Sequence, residues 1–82
     1  MFGYVKKDAL LKTLRDEMEL HEKMGKTYNH LASGLLERKL AAKTDGDRQW
    51  YECERFKYAR WAEDANAKLV EAATIYNMVK QM

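Results

Sequence analysis

The residues with the most chemical reach lie between Arg48 and Trp61, where the aromatics Trp50, Tyr51, Phe56, Tyr58 and Trp61 are interleaved with Arg48, Arg55, Lys57 and Arg60. Cations beside aromatic rings can follow a phosphate backbone and stack on bases, so segment 48–61 is the candidate nucleic-acid surface. The same residue types anchor protein interfaces. Two features favour protein contact. Glu52, Glu54, Glu63 and Asp64 stand in or beside the segment and offset its charge. On a helix, moreover, these aromatics cannot all turn to one core, so some must be exposed or covered by another chain.

Single residues offer little for catalysis. His21 falls on an apolar stripe, with Glu17 one helical turn earlier as the expected hydrogen-bond partner. Neither His21 nor His30 has a Glu three residues before it, so the Glu-x-x-His element of di-iron bundles is missing. Cys53 stands between Glu52 and Glu54, whose charges oppose the thiolate. No phosphate loop, nucleophile elbow or zinc spacing occurs. The expectation is a protein that is not an enzyme and uses no cofactor or metal.

The elements that must position these residues are helical. Tyr51, Arg55, Tyr58, Ala62, Ala65, Leu69, Ala72, Tyr76 and Val79 recur at alternating four- and three-residue steps, the period of a seam between packed helices. Trp61, Ile75 and Met82 widen that stripe on one side and Ala59, Val70 and Ala73 on the other. An earlier stripe runs Leu11, Leu14, Met18, His21, Gly25, Tyr28, Ala32 and Leu35, flanked by Leu10, Met24, Leu31 and Leu36. Glu19 with Lys23 and Glu22 with Lys26 have the favourable order for surface ion pairs. Gly3 argues against helix at the start, leaving Phe2 and Tyr4 either to fold back on a helix end or meet a partner, or to sit in a frayed terminus. Gly25 and Ser33-Gly34 are the expected sites of a kink or break. Lys43-Thr44-Asp45-Gly46-Asp47 is the turn, with Thr44 or Asp45 capping the second helix.

The expected fold is all-α: an antiparallel helical hairpin with helices over about 5–42 and 47–81 and a turn at 43–47, forming a single domain over 1–82. The absence of proline permits long helices. A chain of 82 residues is near the lower limit for one core, and one cysteine offers no internal disulfide. Two broad apolar faces on two arms therefore predict pairing into a four-helix bundle, as a homodimer, with Tyr58, Ala62, Ala65, Leu69, Ala72 and Tyr76 in self-association. Trp50, Lys57, Arg60 and Trp61 are the expected partner-binding residues. A net charge of +2 with interspersed signs, a free cysteine and no long apolar run predict a cytoplasmic protein with no membrane contact.

The opening Met1-Phe2-Gly3-Tyr4-Val5-Lys6-Lys7, ahead of a charged amphipathic helix in a short chain, resembles the start of short phage- or prophage-encoded helical proteins of unknown function. Trp50-Tyr51 followed by Asp64-Ala65-Asn66-Ala67 carries a second, fainter likeness to them. The resemblance implies an accessory or host-directed binding role and defines no site residues.

Overall fold

In the computed structural model, residues 2–82 are described, with side chains from Lys6 onward. The chain forms α1 (Phe2–Ala41) and α2 (Asp45–Lys80), packed against each other as an antiparallel hairpin. The rod measures 65 × 13 × 13 Å over its Cα atoms. Among the described residues no helix is long and apolar enough to cross a membrane.

Helix α1 includes Gly3 and continues through Gly25 and Ser33-Gly34, so neither expected break occurs. Each glycine costs a helix about 1 kcal/mol relative to alanine, too little to interrupt one held along its length by a partner. The expected packing of Phe2 and Tyr4 lies outside the described side chains. At Gly25 an added Cβ would sit 3.9 Å from the Ala65 Cβ, an ordinary contact. The close approach of the arms there therefore does not require glycine.

The turn is shorter than expected because the cap acts early. Thr44 is extended (φ −120°, ψ 152°), and its Oγ1 accepts from the Asp47 amide at 3.1 Å. Asp45 and Asp47 then lie in the first turn, at the positive end of the helix dipole, and Gly46 is helical. Arg48 closes the corner by donating to the last α1-side carbonyl, that of Ala42, at 3.3 Å and to Asp45 at 2.6 Å.

The two heptad stripes meet each other. Leu14, Ala62, Ala65 and Ala72 are the buried residues among those described, and the other stripe positions are half-buried. Of the two surface pairs expected on α1, Glu22 and Lys26 close at 3.3 Å, whereas Glu19 and Lys23 form no ion pair among the described residues.

Ala65 is 3% exposed on the seam, while Ala67 points to solvent. Ala65→Leu is expected to overpack the contact and cost about 1–3 kcal/mol, and Ala67→Leu to be neutral within about 0.5 kcal/mol. Thermal melts of the two variants check the register. Gly34→Ala, where nothing lies within 4 Å of the new Cβ, is expected to stabilise by about 0.4–1 kcal/mol in the same assay.

Candidate protein-contact face

Beside the small seam residues Ala62 and Ala65, the largest side chain, Trp61, lies on the border of the seam. Trp61 rests on the rings of Tyr28 and Tyr58, edge-on to both at centroid distances of 5.5 and 5.2 Å. Tyr28 and Tyr58 stack across the seam at 6.3 Å. Lys57 Nζ lies 4.9 Å from the Tyr58 centroid and 5.4 Å from that of Trp61, and its ion pair with Glu54 at 2.8 Å raises its pKa. Trp50 is edge-on to Tyr51 at 5.3 Å and 58% exposed.

These side chains border one flank of the hairpin, which is hollowed along its length. Toward the open end lies a depression of about 210 Å³ between Leu14, Glu17 and His21 of α1 and Glu71 and Ile75 of α2. A central one of about 260 Å³ is walled by Met24, Tyr28, Trp61 and Asp64. A third, of about 360 Å³ near the turn, is walled by Leu31, Arg38, Trp50 and Tyr58. His21 and Lys68 line the first two together, and the stacked rings of Tyr28 and Tyr58 stand between the second and the third. The three lie in line along this flank as one interrupted groove.

The expected partner-binding residues thus divide. Trp50, Lys57 and Trp61 share the groove flank, with Lys57 and Trp61 in contact. Arg60 instead lines a shallow hollow of about 140 Å³ with Phe56, Ala59 and Glu63. The residues expected in self-association, Tyr58, Ala62, Ala65, Leu69, Ala72 and Tyr76, lie along the seam within the chain, where the three alanines are buried. A second copy would meet the flanks of this seam.

His21 differs from expectation. Its Nδ1 is out of solvent with no hydrogen-bond partner, and the bond to Glu17 is not made. The ring is turned toward the seam, whereas Glu17 is exposed on the border. Cys53 is a free, exposed thiol. Among the described residues, no group of three His, Cys, Asp or Glu side chains converges in a way that could hold a metal ion.

Sequence reasoning missed a polar cluster that joins the arms near the turn. Glu52 Oε2 accepts from Lys39 Nζ of α1 and from Arg55 Nε, both at 2.9 Å, and Arg55 also bonds Oε1. These bonds from Arg55 and Lys39 hold the Glu52 pKa down at about 2, from 4.5. The available signal was that Lys39 continues the α1 stripe four residues past Leu35 and faces the start of α2, one turn from Arg55, the one charged position of the α2 stripe. At the open end Arg15 donates to the Tyr76 hydroxyl at 3.2 Å, which lowers the tyrosine pKa. Arg48, Arg55 and Lys57, three of the four cations of segment 48–61, are therefore already paired with carboxylates of their own helix.

The chain matches no protein-family model, and neither a curated protein nor a solved structure shows significant similarity to it.

A carboxylate whose folded pKa lies below its unfolded value adds stability that is present above the unfolded pKa and lost as pH falls through the folded one. Glu52 should therefore contribute above pH 4.5 and progressively less down to about pH 2. Glu52→Gln is expected to flatten that part of the curve of melting temperature against pH. An unchanged acid limb would show that other carboxylates carry it. Because the pair is exposed to water, the effect should shrink in high salt.

Proposed function

We propose that this protein is a non-enzymatic helical contact protein that self-associates, with two hairpins pairing as a homodimeric four-helix bundle, and acts by binding protein. The observation that carries the reading is its surface. The chain exposes 6702 Å², whereas a folded monomer of its 9.7 kDa mass exposes about 5,100 Å², an excess of about 1,600 Å². A standard interface covers about 800 Å² per partner, so this excess suffices for a dimer contact. The exposed side chains are of the type interfaces use: Leu10, Leu20, Leu31, Trp50, Trp61 and Ile75 are each at least 40% exposed.

A nucleic-acid role for segment 48–61 is the weaker reading, because its cations are largely neutralised by neighbouring carboxylates. The likeness of the N-terminus to short phage and prophage proteins supports an accessory or host-directed setting. A cytoplasmic location fits the free, exposed Cys53. Arg60, beside Phe56 on a separate surface, gives a second contact patch for a protein other than a copy of this chain.

Light scattering coupled to gel filtration is expected to give twice the 9.7 kDa chain mass. Trp61→Ala should weaken association by about 1 kcal/mol or more, roughly fivefold, while Arg60→Ala leaves it unchanged. A well-folded monomer whose mass does not rise with concentration would overturn the reading.

A further inference from the structure

The self-association just proposed leaves open which surface pairs and in which direction. We infer that the groove flank is the dimer interface and that two copies pack there antiparallel, the turn of one hairpin beside the open end of the other, about a two-fold axis through the central depression. The inference rests on the self-association reading and adds the face and the direction.

The choice of face follows from how the large residues are distributed. Residues seven apart on a helix of this period share a border. The groove border of α1 reads Leu10, Glu17, Met24, Leu31, Arg38, and that of α2 reads Glu54, Trp61, Lys68, Ile75, Met82. The opposite borders read Asp8, Arg15, Glu22, Asn29, Leu36 and Glu52, Ala59, Asn66, Ala73, Lys80. One flank carries the large apolar side chains, Trp61, Met24, Leu31 and Ile75. The other carries small or polar ones for most of its length. Burial of apolar area at about 25 cal/mol per Å² therefore favours the groove flank. The groove also has the shape an opposing row of side chains needs, with three hollows in line along it.

Charge decides the direction. Arg38 stands at the turn-end depression, where Glu54 is already paired with Lys57, and Glu17 and Glu71 stand at the open-end one, which they leave net negative against its single lysine, Lys68. Among the described residues none of Arg38, Glu17 and Glu71 is in an ion pair. A parallel pair would set each hollow against its own copy, bringing Glu17 and Glu71 toward the partner's Glu17 and Glu71 and Arg38 toward the partner's Arg38. Like charges facing each other across an interface are unfavourable. The antiparallel pair exchanges the two hollows, which lie to either side of the central one, and brings Arg38 against the partner's Glu17 and Glu71. The turn-end hollow contributes Trp50 and Leu31, and the open-end hollow Leu14 and Ile75, so large rings meet aliphatic walls.

Cross-linking tests this in the full chain with Cys53→Ser, which leaves no native thiol. Arg38→Cys and Glu17→Cys chains are prepared separately, checked for unchanged helicity, mixed in equal amounts and treated with a short bismaleimide. The expected result is efficient cross-linking in the mixture and almost none in either chain alone. Cross-linking of Arg38→Cys to itself would overturn the direction. A dimer that cross-links in neither way would overturn the face. Both differ from failure of the self-association reading, in which the unmodified chain stays at monomer mass by light scattering. A charge exchange gives an independent readout: Arg38→Glu should weaken dimerisation severalfold, and Glu17→Arg in the same chain should restore most of it. No restoration would count against the pairing.

Discussion

The distance between the two helices is set by small side chains, and most of the surface follows from it. Ala62, Ala65 and Ala72 are buried against α1, with Gly25 opposite Ala65. Residues of this size let helices approach to the short end of the usual 8–10 Å range. Trp61 directly precedes Ala62 and so falls on the border of the seam, not between the axes. Trp61 consequently lies over the seam on Tyr28 and Tyr58, and Met24 and Leu31 border the same groove. The aromatic face is thus a consequence of the alanine seam. Widening the seam would remove the support on which Trp61 rests.

Apolar burial alone does not fix how far one arm slides along the other, because a heptad seam looks similar after a shift of one repeat. Polar contacts at the two ends make the registers unequal. Near the turn, Glu52 takes hydrogen bonds from Lys39 across the seam and from Arg55 on its own helix. At the open end Arg15 reaches Tyr76. Both sites are exposed enough that their net stabilisation is small. Their value is discriminatory, since a shifted register would strand Glu52 and Lys39 without each other. With the short capped turn, they hold the alignment in which the three hollows lie in line on one flank.

The stripes were legible because nothing interrupts them. With no proline, and with apolar residues at nearly every three- and four-residue step, Tyr51 through Val79 on one arm and Leu11 through Leu35 on the other define their own faces, and those faces meet. Glycine misled the reading, since Gly3, Gly25 and Ser33-Gly34 suggested ends and kinks that pairing along the helix overrides. The hydrogen bond expected from Glu17 to His21 was a spacing argument, and spacing cannot say that the ring turns inward while the carboxylate stays in water. The one-sidedness of the hairpin was half visible: Trp61, Ile75 and Met82 could be placed on one border of α2, and Leu10, Met24 and Leu31 beside the α1 stripe. That these borders lie on the same flank depends on how the arms pair, which neither helix specifies alone. The segregation of Arg60 from Trp50, Lys57 and Trp61 was hidden for the same reason.

One apolar flank has a consequence for how far assembly can go. A hairpin with two such flanks would accept a neighbour on each side, and the contacts would propagate into a sheet or fibre. Here the second flank carries Asp8, Arg15 and Glu22 on α1 and Asn66 and Lys80 on α2, all exposed. Of its large exposed residues, Leu36, Leu40 and Phe56 cluster at the turn end, and Val70 stands alone nearer the open end. Pairing groove to groove uses the same surface on both copies and leaves outward a flank that is charged over most of its length. Such a contact, in the proposed pairing, would be self-complementary and would close at two chains. In the proposed dimer the charges of the far flank would therefore also set the size of the assembly, and the turn-end patch around Phe56 would remain outside it.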